Sequence, residues 1–384
     1  MKNLLLLCAL TLSTGALANT PLECFDMREE TLVEYLCGRS HKNVVVPEGV
    51  TVIGEKAFES AAIKSVTFPN TLTKIGKEAF ANNNLTKLQI DYNVTEIGKK
   101  AFAYNQLTSV VIPESLTEIG DGVFAENKLT SVVIPSSVTT IGYQAFARNQ
   151  LTSVIIPSSV TTIAGWAFEF NRLTTVVIPS GVTKIQVAAF ASNQLTSVVI
   201  PNSVTWIGYE AFYYNKLTSV VIPSGVTKIG ERAFANNQLT SIVIPSGVTN
   251  IDYAAFANNQ LTSVVIPSGV TVIEDKAFGG NQLTSVIIPN NVKVIGELAF
   301  AENELSSVII PNSVRVIREN AFDDNQLTSV DIPDGVEWIG TGAFIRNQLS
   351  SVVVPSCKVA PSYAFDSGVK RITKKFRGLW VCQK

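Results

Sequence analysis

The chain has 384 residues, 46% of them apolar and 16% charged, with a formal net charge of −1 from 30 Lys and Arg against 31 Asp and Glu. That balance lacks the basic face a phosphate backbone demands and speaks against a nucleic-acid partner. One histidine, His41, leaves almost nothing from which to build a Ser-His triad, a Cys-His pair or a multi-histidine metal site, and no cofactor is expected.

The first residues read as an export signal. Lys2 supplies the positive start, Leu4 to Leu12 the short apolar core and Ala16-Leu17-Ala18 the cleavage site, so residues 1–18 are expected to be a signal peptide. Cys8 follows Leu7, where a lipoprotein signal needs a small residue, so acylation is not expected. No later apolar run approaches the ~20 residues that span a bilayer. The expected location is therefore outside the cytoplasm, secreted or at the cell surface, with the periplasm as the alternative. Residues 19–43 are the expected N-terminal cap, in which Arg28 to Leu36 reads as a short helix stopped by Gly38.

Internal repetition organises the rest. Phenylalanine recurs every 22 residues from Phe58 to Phe344, with Phe365 one residue early. Eleven residues before each Phe from Phe58 to Phe344 stands Pro, from Pro47 to Pro333, except Asp91 before Phe102; three residues after stands Asn, from Asn83 to Asn347, with Ala61 in the first unit. One unit reads P-x-x-V-T-x-I-G-x-x-A-F-x-x-N-x-L-T-S-V-V-I, and fourteen copies cover residues 44–355. In Leu107 to Ile112 β-branched residues dominate and Pro113 ends the run, the mark of a short strand. Leu116 to Ile119 makes a second extended piece, and Glu231-Arg232-Ala233-Phe234 reads as a single helical or 3-10 turn. Such a unit has too little core to stand alone, so neighbours must stack, about 4.8 Å per turn, into a rod on the order of 65 Å long. The Asn column is read as structural, each amide pairing backbone groups of the adjacent turn.

Cys24 and Cys37 precede the repeats; Cys357 and Cys382 follow them, in the expected C-terminal cap, residues 356–384. An even number at the two ends of an exported chain favours the disulfides Cys24–Cys37 and Cys357–Cys382, since the ends lie too far apart to cross-link.

The run L-x-x-V-x-I-P followed by V-x-x-I-G-x-x-A-F, as in Leu217 to Pro223 and Val226 to Phe234, resembles the BspA-type leucine-rich repeat family. Where that family commonly places an inward Cys, this chain has Asn. The resemblance implies a leucine-rich repeat solenoid, a curved right-handed parallel β-sheet with short helical or 3-10 turns and capped ends. It also implies a non-catalytic secreted or surface protein that binds other proteins, often as an adhesin toward host matrix or other cells. A structural, self-associating envelope protein and a carbohydrate-binding module are the alternatives.

The columns the copies do not share carry the candidate sites. Between the inward Val and Ile of each strand one position stays apolar over ten turns, from Val111 to Ile309 and including Val177, Val199 and Val221, and by alternation it faces outward. A second candidate is a shallow depression with Val187, Ala188 and Ser192 as its floor, rimmed by Trp166 and Phe170 on one side and Trp206, Tyr209, Tyr213 and Tyr214 on the other. Charge also drifts along the rod, with Lys74, Lys77, Lys87, Lys99 and Lys100 early and acidic residues such as Glu274, Asp275 and Glu319 late. Glu302 with Glu304, and Asp323 with Asp324, are carboxylates close in sequence and expected on the outer part of a repeat with no cleft, so no catalytic residue is expected.

Overall fold

The chain is described from a computed structural model, which covers residues 20–355, 359, 361–375 and 378–381; the expected signal peptide and the Cys357 and Cys382 pair lie outside the described residues. The repeat is built from three legs. The first is a strand such as Ser109–Val111, with Val110 buried and Ser109 and Val111 exposed, closed off by buried Ile112 and Pro113. The second is a two-residue strand, Glu118–Ile119, whose Ile faces the core. The third is a turn that ends at the inward Asn.

Both strand legs stack in parallel at a register of 22 residues. Glu118–Ile119 pairs with Thr140–Ile141 and that with Thr162–Ile163. On the first leg the strands pair mostly in couples: Lys87–Gln89 with Ser109–Val111, Thr175–Val177 with Ser197–Val199, and Ser263–Val265 with Ser285–Ile287. Single bridges join Val133 to Ile155, Val221 to Val243 and Ile287 to Ile309.

The expected helical turn is not there, and the repeats carry turns without helix. In the unit around Phe234, Arg232 and Asn236 have left-handed φ of 52° and 56°, and the same two positions are left-handed in almost every unit. Ala233 and Ala235 donate back to Gly230 and Arg232 within the turn, at 3.1 Å each. Arg232, Phe234 and Asn236 instead donate forward to Tyr253, Ala255 and Ala257 of the next turn, at 2.9, 2.9 and 3.0 Å. A helix would send all these N–H groups along its own axis; alternation sends every second one to the neighbouring turn. The left-handed conformation costs roughly 1–2 kcal/mol for a non-glycine residue, and a bond to the next turn offsets it at each position.

Inside this leg the Phe rings form a continuous stack from Phe58 to Phe365. Centroids are 4.7–6.0 Å apart and successive planes lie within 17°. Beside it runs the Asn column, buried or nearly so. Asn215 Nδ2 donates to the carbonyls of Phe190, Phe212 and Tyr213, at 3.0, 3.2 and 3.3 Å, and its Oδ1 accepts from the Leu195 N–H at 3.0 Å. The pattern is the same from Asn83 to Asn347, so the amides have the structural role expected of them.

The N-terminal end departs from the expected helix. Strands β1 (Phe25–Arg28) and β2 (Thr31–Tyr35) form an antiparallel hairpin through Glu29, at φ 53°. Pairing on both sides decides it: Leu32 and Tyr35 point inward, three residues apart because a register shift leaves Val33 opposite no residue of β1, and β2 pairs in parallel with the first two-residue strand, Val52–Ile53, extending the second leg by one rung. The hairpin sets Tyr35 on Phe58 at 4.9 Å, starting the ring stack, and brings Cys24 and Cys37 to a disulfide with Cα atoms 4.9 Å apart. At the other end Ser351–Val354 pairs in parallel with Lys370–Lys375, which turns back antiparallel onto Gly378–Val381.

Candidate functional site

The strand leg presents three outward columns. The first two are Thr or Ser, from Thr108 and Ser109 to Ser306 and Ser307; the third is the apolar column, and all are exposed. Val111, Val133, Ile155, Val177, Val199, Val221, Val243, Val265, Ile287 and Ile309 are each 58–84% exposed. Gln89 precedes this stripe and Asp331 follows it, both exposed, so it has polar ends. Its nine steps span about 43 Å at strand spacing. Burying a Val or Ile is worth about 1.5–3 kcal/mol at about 25 cal/mol per Å², or about 60–120 Å² each, so ten side chains about three-quarters exposed offer about 450–900 Å² of apolar surface. The largest apolar patch on a typical monomer is about 300–600 Å².

The turn leg carries the aromatic residues, and the structure brings only some of them together. Trp166 and Phe170 occupy the two left-handed positions of their turn, and so does Tyr214 in its own. The Trp166 ring meets Tyr143 at 5.0 Å, and the Arg148 guanidinium sits 4.5 Å over the exposed Phe170. Tyr213 packs on Ala235, Ala254 and Ala257 together with Tyr253, and so leans away from the floor residues. Tyr209 accepts a hydrogen bond from Arg232 at 3.4 Å, and Arg232 also bonds Glu210 at 3.3 Å and lies over Tyr253. Between these groups Ala188 and Ala191 are buried and Val187 and Ser192 are half-buried, a low floor flanked by larger side chains. Trp206 belongs elsewhere. It stands in the second strand leg, Trp206–Ile207, between Lys184 and Lys228, six residues ahead of its Phe rather than in the turn.

Two carboxylates, Glu169 and Glu210, flank the floor and were not among the expected residues. Burial pushes the Glu169 carboxyl up; Arg148 opposes this and Glu210 adds to it. The signal was in the alignment of copies, because Glu169 stands in a column that is otherwise mostly Ala.

A family model of the BspA-type leucine-rich repeat region matches residues 34–152, 139–261 and 249–370. The chain belongs to the BspA-type leucine-rich repeat family. A leucine-rich repeat protein from Bacteroides ovatus has the same fold at 22% identity and a TM-score of 0.62, over 90% of this chain and 94% of that one. A leucine-rich cell-surface protein from Faecalibacterium prausnitzii aligns at 24% identity over 92% of this chain and 93% of that one, with a TM-score of 0.46. The pneumococcal vaccine antigen PcpA aligns at 20% identity over 90% and 83%, with a TM-score of 0.47. No curated protein matches the sequence.

Within this BspA-type solenoid the paired carboxylates do not form a common cleft. Asp323 is not on the outer part of its repeat: it fills the Ala column, is buried, and takes a two-pronged bond from Arg346. Glu302 borders a shallow hollow of about 180 Å³ shared with Lys276, Gly279, Gly280 and Leu298. Three of the five early lysines are paired across turns, Lys74 with Glu96 at 2.8 Å, Lys77 with Glu55 at 3.1 Å and Lys99 with Asp121 at 2.8 Å. His41 lies beside Cys24 and Cys37, but both sulfurs are joined to each other.

Proposed function

We propose that the protein is a non-catalytic exported scaffold that holds a protein partner against its strand face, in the manner of a cell-surface or adhesin-like interaction protein. The observation that carries this is the stripe of ten exposed Val and Ile residues, larger than an isolated soluble rod has reason to display. Family membership supports the scaffold role, the Lys2 to Ala18 leader supports export, and among the described residues no helix is long and apolar enough to cross a membrane. Exposed Phe170 and Tyr214, either side of Ser192, support a further contact for a protein side chain or a sugar ring.

The test is association of the purified protein with immobilised matrix proteins, with cells and with itself, compared with the variant Val177→Ser, Val199→Ser and Val221→Ser. All three side chains are exposed, so the variant keeps its fold. A tenfold or greater loss of association is expected. Association that is unaltered by the three serines ends the strand-face reading.

A further inference from the structure

From Phe58 to Phe344, three carboxylates stand directly after a Phe of the ring stack: Glu59, Glu169 and Asp323. Glu59 pairs with Lys56 at 3.4 Å, and Asp323 is gripped by both prongs of Arg346, with Nε donating to Oδ1 at 2.8 Å. Glu169 has no cation at ion-pair distance among the described residues. Arg148 acts on it only from further off, being turned to Glu126 at 3.3 Å and to the ring of Phe170.

The other copies of the unit show what would fill the gap. Arg346 stands one turn beyond Asp323, at the second left-handed position of its turn, with φ 54°. Relative to Glu169 the same place is held by Ser192, φ 55°, which is short and uncharged. Phe170 adds a second precedent, because the Arg148 guanidinium, one turn before it in the same column, lies 4.5 Å over its ring. A guanidinium above Ser192 takes the equivalent place on the other side, one turn after Phe170 and one turn before Tyr214. The turns here are 5.6 and 5.8 Å apart at the ring stack, so a cation midway stands within the about 6 Å over which an aromatic face attracts it, on both sides.

Resting on the reading of this patch as a contact, we propose that it is a socket for an arginine side chain of a protein partner, with the guanidinium above Ser192, its fork on Glu169 and its faces against Phe170 and Tyr214.

The chemistry of the patch selects that occupant. Burial and the nearby Glu210 both push the Glu169 carboxyl up, the state of a carboxylate that lacks a counter-charge, and an arriving cation reverses it. A neutral sugar leaves that charge uncompensated. A lysine ammonium supplies the charge but neither the two-pronged geometry nor the flat face, whereas a guanidinium pairs and stacks at once. The cations already present do not repel it strongly, since Arg148 is neutralised by Glu126 and Arg232 by Glu210, each at 3.3 Å.

The experiment uses the purified full chain and three capped pentapeptides, glycine throughout except for a central arginine, lysine or citrulline, titrated by calorimetry. Citrulline keeps the shape of arginine without its charge. The arginine peptide is expected to bind at least about tenfold more tightly than the citrulline peptide, with lysine between them. Glu169→Gln, and separately Phe170→Ala with Tyr214→Ala, should each weaken the arginine peptide by about tenfold. Ser192→Arg gives the turn a guanidinium of its own, as Arg346 does for Asp323. It is expected to abolish peptide binding and to lower the Glu169 carboxyl in an NMR titration. Circular dichroism melts of the Glu169 and Ser192 variants no lower than that of the parent show that the fold is kept. Citrulline bound as tightly as arginine overturns the proposal, and so does binding indifferent to Glu169→Gln. If no peptide binds but maltopentaose does, and Phe170→Ala with Tyr214→Ala abolishes it, arginine is excluded while the patch remains a contact for a sugar. If neither binds, both readings of the patch fall, and the strand face, which shares none of these residues, is untouched.

Discussion

The turn side and the strand side of the rod solve the same stacking problem in different ways. On the turn side every rung is bonded to the next through backbone N–H groups and an inward Asn, beside an unbroken stack of Phe rings. On the strand side the three-residue strands pair mostly in couples, and cohesion rests on the buried Val and Ile that alternate with the outward columns. Beside its ring stack the turn side carries a column of mostly Ala, small and buried. Where the strand side faces outward it presents Val and Ile, large and exposed. β-branched residues ladder well on a parallel sheet, but serine and threonine occupy the neighbouring outward columns without loss of the strand. The apolar choice at the third column is therefore not required by the fold, and the proposed interaction rests on it.

The contrast can be broken at its strongest point by emptying the ring stack. Phe212→Ala removes a fully buried ring that touches Phe190 and Phe234, at 5.8 and 5.5 Å, and is expected to cost about 3–5 kcal/mol in urea unfolding. Asn215→Ala should cost somewhat less, about 2–3 kcal/mol. The Phe190 and Phe212 carbonyls keep amide donors from Asn193 and Asn237, so the orphaned group is the Leu195 N–H. Because each turn contacts only its neighbours, both losses should appear as local opening around the substituted turn in hydrogen exchange, not as uniform weakening along the rod. Val221→Ser on the opposite side is 82% exposed in the native residue and should shift stability by no more than about 0.5 kcal/mol. A strand-face serine as costly as the buried asparagine would show that the outward column is structural and remove the asymmetry.

Much of this architecture was legible before any coordinates, because a period of 22 residues repeated from Phe58 to Phe344 specifies the stack, the core columns and the outward stripe together. What was not legible was backbone conformation in short segments. Ala and Phe after two polar residues fit a helical turn as well as an alternation of right- and left-handed residues, and only the demand of the next turn for N–H donors decides between them. Arg28 to Leu36 misled for a related reason: the inward Leu32 and Tyr35 are three residues apart, as on one face of a helix, and the segment is short with Gly38 just beyond it. The aromatic candidates were legible as residues and not as a group. Trp206 sits in the second strand leg, and Tyr213 is drawn toward Ala254 and Tyr253 of the following turns, both consequences of column position that sequence distance conceals.

The smallest expected effect tests whether the irregular patch on the turn side is structural or functional. Glu169 replaces the Ala of its column, and burial raises its carboxyl above the ordinary value while Arg148 pulls it down and Glu210 pushes it up. A carboxyl raised in the fold holds its proton longer there than in the unfolded chain, so its contribution falls as pH rises through the ordinary glutamate range and above. Glu169→Gln removes the charge and keeps the shape. Since the group is only half-buried, solvent screening limits the gain to a few tenths of a kcal/mol at neutral pH, and the difference between variant and parent should vanish below about pH 4. A destabilised variant at neutral pH would show instead that the carboxylate is held by Arg148, making the patch a satisfied ion pair within the turn side, in contrast to the apolar column of the strand face.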